Sequence, residues 1–235
     1  MSKGCEPSVV VKPFGKTKDG RLVQQYTLTG AGGVVMDVID YGGKVVRLFT
    51  PDRTGAKTDI TLGFNEVAGY ETHDPYFGSL IGRYGNRIAN GRFTLNGVTY
   101  QLAQNSGIPN HLHGGNVGFN QKIWDAVPYE KSCESGLVLT MTSPDGDENY
   151  PGKLDVKVTY ALTDDNELKI HYEAVSDKDT VINMTNHSYF NLGGYSSGEI
   201  LGHILQIDSD AITEVDENLI PTGKAYAVKG TAFDF

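Results

Sequence analysis

The chain has 235 residues, 39% of them hydrophobic and 21% charged, which is ordinary globular material and excludes a disordered tail. Twenty Lys and Arg stand against 29 Asp and Glu, a net charge of −9 with no basic run; this argues against nucleic acid and anionic membranes as partners and leaves neutral small molecules. No apolar stretch approaches the roughly 20 residues that span a bilayer, and 29 glycines imply many tight turns.

In chain order, short β-rich runs dominate. Ser8–Phe14, Leu22–Leu28, Val34–Tyr41 and Lys44–Thr50 come first, and the turn Pro51-Asp52-Arg53-Thr54-Gly55 follows. Phe93 and Leu95 lead through Asn96-Gly97 into Val98, Tyr100 and Leu102; Asn-Gly is the preferred pair of a type I′ hairpin, where both positions need positive φ. Leu137–Thr142 is another strand, closed by Ser143-Pro144-Asp145-Gly146. Leu154, Val156, Val158, Tyr160 and Leu162 alternate with polar residues, turn at Asp164-Asp165-Asn166, and resume as Leu168, Ile170, Tyr172 and Ala174. That pattern is a hairpin with one buried face. Val181–Thr185 and Leu201–Ile207 read as further strands, and Pro221-Thr222-Gly223 as a turn. No helical crossovers separate the runs, so the expected fold is a single all-β domain over residues 1–235, an antiparallel sandwich or barrel. The stretches 63–91 and 103–121 are loop-like and rich in polar groups, the setting in which functional residues concentrate.

Several motifs have a bland reading that wins. Gly30-Ala31-Gly32-Gly33 follows a strand, but Val35 and the lack of a following helix leave a glycine-rich turn instead of a dinucleotide fingerprint. His111-Leu112-His113 could place two imidazoles on one strand face, yet no carboxylate follows to complete three ligands, so no metal is expected. His171 falls on the polar face of its strand, and His73 and His203 lack partners in the sequence. Cys5 and Cys133 form no CxxC, which excludes zinc ribbons and thioredoxin-like chemistry. The opening Met-Ser-Lys-Gly-Cys-Glu-Pro shows no apolar signal stretch, and the expected compartment is the cytoplasm.

Two segments stand above this background. Gly82-Arg83-Tyr84-Gly85-Asn86-Arg87-Ile88-Ala89-Asn90-Gly91 sets two arginines and two asparagines among glycines, a composition that can aim several donors at one oxygen-rich ligand. Thr185-Asn186-His187-Ser188-Tyr189-Phe190-Asn191 carries a donor or acceptor at nearly every position, directly after an apolar run.

With Leu112-His113-Gly114-Gly115 between them, these blocks resemble the aldose 1-epimerase family, and the likeness extends through Asp147–Gly152, Asp216–Pro221 and Gly230–Asp234. The resemblance implies a large antiparallel β-sandwich of the galactose mutarotase type. It implies interconversion of the α and β anomers of free hexoses such as galactose and glucose by general acid–base ring opening and reclosure, with no metal or organic cofactor. By the same resemblance His187 protonates the ring oxygen and His113 is the second active-site histidine, bonded to the sugar. Arg87 lies beside the substrate with Asn86 as its neighbour; Arg83 is the second choice of the two arginines, and Tyr189 and Glu148 have no assigned role. The family's general-base glutamate and a Gly-aromatic-Asp-His-Asn motif lie downstream of a Phe-Asp-aromatic block, which here is Phe233-Asp234-Phe235. Neither occurs in the chain, so the expectation is a sandwich lacking its C-terminal strands, with an unassigned base and little activity of its own. A hexose is the expected partner, and the expected state is a monomer or weak dimer. A hexose-binding module without chemistry and a relative acting on sugar phosphates are the alternatives.

Overall fold

The structure, a computed structural model, describes residues 6–72 and 75–235; Cys5 and His73 lie outside the described residues. Five strands open the chain: β1 (Ser8–Lys16), β2 (Leu22–Thr29), β3 (Val35–Ile39), β4 (Lys44–Pro51) and β5 (Lys57–Asp59). They pair antiparallel in chain order as one meander. The glycine-rich turn after β2 closes through Gly33 N–H to the Gly30 carbonyl at 3.0 Å, a hairpin and nothing more. Helix α1 (Val67–Thr72) is short and buries Val67 and Tyr70 against Val23, Ile39, Tyr41 and Val46.

Six short strands follow: β6 (Leu80–Ile81), β7 (Arg87–Ala89), β8 (Arg92–Leu95), β9 (Val98–Gln101), β10 (Asn110–Leu112) and then β11 (Asp125–Lys131). The last begins a second antiparallel meander with β12 (Glu134–Ser143), β13 (Leu154–Thr163) and β14 (Leu168–Ser176). The period of two places Leu137 and Leu139 of β12 and Leu154, Val156, Val158, Tyr160 and Leu162 of β13 on one face. That face meets Tyr26, Leu28, Met36, Val38, Val45 and Leu48 of the first meander in a single core. Each of these larger side chains contributes about 1.5–3 kcal/mol relative to exposure. Two polar contacts tie the layers: Ser135 Oγ donates to the Thr29 carbonyl at 2.9 Å, and Val9 N–H to Glu130 Oε1 at 2.7 Å. The all-β sandwich expected from the alternation is the fold observed.

The final third departs from the reading of its sequence. Val181–Thr185 contributes only the two-residue β15 (Thr185–Asn186). Leu201–Ile207 is not a strand: Ile204 is 98% exposed and the segment has no ladder partner among the described residues. Alternating apolar residues specify a strand only when a neighbouring edge accepts them. The hairpin instead pairs β16 (Ala211–Val215) with β17 (Pro221–Ala227), so Pro221-Thr222-Gly223 lies inside a strand. The turn sits at Asp216, whose carboxylate accepts Asn218 N–H at 2.8 Å and Ile220 N–H at 3.0 Å. No helix among the described residues is long and apolar enough to cross a membrane.

Candidate active site

Two small ladders bring the expected residues together. In the first, β15 pairs with β6, Thr185 opposite Ile81 and Asn186 opposite Leu80. The chain then passes through His187, whose N–H donates to the Ser79 carbonyl at 2.9 Å. Asn186 locks this strand end: its Nδ2 donates to the Gly78 carbonyl at 2.9 Å and to the buried Tyr160 hydroxyl oxygen at 3.0 Å, while its Oδ1 accepts Ser188 N–H at 3.0 Å.

In the second, β10 pairs with β7 with Leu112 opposite Arg87, which sets His113 and Asn86 side by side just past the ladder. His113 N–H donates to the Asn86 carbonyl and Asn86 N–H returns a bond to His113 Nδ1, both at 3.0 Å. Both residues hold left-handed backbone, φ 50° for His113 and 61° for Asn86. Asparagine tolerates that region; histidine there carries a conformational cost that the reciprocal bonds offset. The following Gly114 has φ 89°, and a Cβ on it would stand 1.8 Å from the Gly82 carbonyl oxygen, so only glycine fits.

The two imidazoles meet edge to face with centroids 5.1 Å apart. Tyr76 packs on both, 4.6 Å from His113 and 5.7 Å from His187. Tyr189 lies 5.1 Å from His187 and is backed by Phe77. The result is an aromatic-walled niche with ring nitrogens as its polar groups.

The bond from Asn86 N–H requires a lone pair on His113 Nδ1, so the proton of the neutral ring sits on Nε2. Burial, and then the charges of His187 and Arg87, push the His113 pKa down to about 4. At neutral pH the ring is therefore an uncharged Nε2–H donor. Arg87 is half-buried, and its Nη1 donates to Asn86 Oδ1 at 3.1 Å, which couples the guanidinium to the residue that sets the His113 tautomer. Among the described residues no carboxylate bonds either imidazole.

Arg83 is not part of this niche. It is 1% exposed and donates to the carbonyls of Pro151 at 2.8 Å and Gly152 at 2.9 Å and to Ser143 Oγ at 2.7 Å. Its guanidinium lies 5.5 Å from the centre of the Tyr150 ring. His111 belongs to the same buried cluster: its Nδ1 is 2.8 Å from the Ala103 carbonyl, and its Nε2 is 2.6 Å from the Tyr150 hydroxyl. The His111–His113 pair does not share a face, because the chain leaves β10 at Leu112 and His113 turns into left-handed backbone. Among the described residues no group of three His, Cys, Asp or Glu is arranged to hold a metal ion. His171 is exposed on its polar face, and His203 bonds locally to Ile200 and Leu192. Two contributors are not legible in the sequence: Tyr76, which no local spacing links to either histidine, and Asn186, which reads there only as one more polar residue in its block.

The aldose 1-epimerase family model matches residues 24–235. The chain belongs to the aldose 1-epimerase family. It is 47% identical to the galactose mutarotase of Sus scrofa over 228 residues, covering 97% of this chain and 65% of that protein. It is 39% identical to the aldose 1-epimerase of Escherichia coli K12, over 92% of this chain and 61% of that one. The crystal structure of a galactose 1-epimerase from Lactobacillus acidophilus superposes with a TM-score of 0.83 at 30% identity, covering 98% of this chain and 66% of that one. This family member thus spans 56% to 65% of the length of the mammalian mutarotases and the bacterial epimerase it matches.

Proposed function

We propose that this niche binds a free hexose and interconverts its α and β anomers. The observation that carries the reading is the edge-to-face contact of two imidazoles 5.1 Å apart, one of them fixed as a neutral Nε2–H donor. Ring opening needs a proton placed on the ring oxygen and another removed from the anomeric hydroxyl; rotation about the first carbon–carbon bond then lets the ring close on the other face. His113, neutral near pH 7, suits a hydrogen bond to a sugar oxygen and not proton delivery as an imidazolium. By its place in the matching motif, His187 is the general acid. Arg87, steadied by Asn86, offers charged donors to sugar hydroxyls. The aromatic walls, Tyr76 and Tyr189, suit the apolar face of a pyranose. The general base is unassigned.

Polarimetry of freshly dissolved α-D-galactose and α-D-glucose, beside calorimetric titration of the same sugars and of glucose 6-phosphate, tests this. The expected outcome is hexose binding with a His187-dependent acceleration. Binding without any acceleration replaces the enzyme by a hexose-binding module. A clear preference for the phosphate ester moves the substrate class. No binding at all overturns the reading.

A further inference from the structure

Glu148 was left without a role by its motif, and the structure gives its side chain a specific task. Its carboxylate accepts Asn116 N–H on Oε2 and Val117 N–H on Oε1, each at 2.9 Å. These two amides follow His113-Gly114-Gly115 directly. Gly115, at φ 110°, lies so close that a Cβ on it would stand 2.1 Å from Glu148 Oε2. The glutamate is aimed by its own backbone, which holds φ 48° in a tight turn with Gly146 at 83° and Asn149 at 68°. Other bonds hold the chain on both sides of His113: Asn105 Oδ1 accepts Leu112 N–H at 2.8 Å, and its Nδ2 donates to the carbonyls of Leu112 at 3.0 Å and Gly115 at 2.9 Å.

We propose that Glu148 is a positioning residue for the proposed anomerisation, acting through the Gly114–Val117 loop to hold His113 in left-handed backbone with its Nδ1 on the Asn86 N–H. The proposal rests on the function given above for His113, but its structural half stands without it. Two consecutive amides donating to one carboxylate are charge-assisted bonds that an amide side chain cannot replace, because glutamine offers one acceptor oxygen and turns an NH₂ toward the second N–H. With that anchor gone, the Asn116 and Val117 amides lose their shared acceptor, and the imidazole leaves the geometry that fixes its tautomer. A misplacement on the scale of an ångström costs catalysis on the order of 10²-fold.

The test uses the full 235-residue chain and compares Glu148→Gln and Glu148→Asp with Asp145→Asn, a change in the same turn at an exposed carboxylate that does not touch the loop. Imidazole ¹⁵N spectra read the His113 tautomer directly, and amide exchange reads Asn116 and Val117. In the parent and in Asp145→Asn, His113 is expected as the single Nε2–H tautomer. In both Glu148 variants it is expected as a mixture, with Asn116 and Val117 exchanging at least tenfold faster and the anomerisation rate lower by about 10- to 100-fold, in kcat more than in KM. Should Glu148→Gln not fold, Glu148→Asp, which keeps the charge but is one methylene short, decides the matter in the same measurements. A single Nε2–H tautomer and unchanged exchange in a folded Glu148 variant overturn the proposal. Absence of hexose anomerisation in the parent overturns the function proposed above, and the spectra still decide what Glu148 does.

Discussion

Arg83 and Arg87 are four residues apart, and His111 and His113 two apart, yet each pair is divided between two unlike regions. Arg83 and His111 join Tyr150 in a buried cluster where nearly every donor and acceptor meets protein. Arg87 and His113 join His187 and Tyr76 in a niche of half-buried side chains. The difference teaches that residue type within these motifs does not set the role. The same guanidinium and imidazole act as internal struts where they are buried with their hydrogen bonds closed within the protein, and stay half-exposed beside a second histidine where they are not.

The largest effect expected from breaking that contrast is on activity. His187→Gln should take the hexose-dependent rate down by about 10²–10⁴-fold, to that of buffer, while calorimetric affinity for galactose and the thermal unfolding midpoint change little. An unchanged rate would remove His187 from the chemistry. The converse change is Arg83→Met, which strands several carbonyls and a serine hydroxyl in the interior. It should lower unfolding free energy by about 3 kcal/mol in a denaturant titration. A loss within about 0.5 kcal/mol would mean the buried cluster is not structural.

The smallest effect is the sharpest probe, because its sign differs between groups. His113 has a folded-state pKa of about 4, below its unfolded value near 6.5, so the folded chain binds fewer protons between the two. Its contribution to stability is fully present above about pH 6.5 and is lost as pH falls toward 4. Buried His111 is shifted in the same direction by burial and adds to this slope. Asp40, beneath the first meander, is pushed by burial up to about 6 although its Oδ1 accepts Gln24 N–H at 3.0 Å. Its contribution is present below its unfolded value near 3.8 and is lost as pH rises through about 6. Urea titrations between about pH 7 and 4 should therefore show His113→Asn flattening part of the acid-side fall and Asp40→Asn steepening it. The same sign for both variants would contradict the burial of one of them.

Alternation in Leu154–Leu162 and Leu168–Ala174 and the Asn96-Gly97 pair determined two of the hairpin strands and the turn between two more, because a one-sided core leaves no other way to bury every second residue. The same alternation failed at Leu201–Ile207, which no edge among the described residues receives, and the Pro221-Thr222-Gly223 turn signal lost to the side chain of Asp216. The motif blocks of Asn86, Arg87, His113 and His187 stood out in the sequence, and the fold brings these residues together. What the linear order could not carry is that His113 is held neutral, why Arg83 is a strut, and that Tyr76, Asn186 and Glu148 pack on or bond to the segments that carry the two histidines. Those properties depend on ladder register, on two residues in left-handed backbone and on burial. They arise only when strands distant in sequence are brought edge to edge, where a hydrogen bond from one backbone amide decides the side of a ring on which the proton sits.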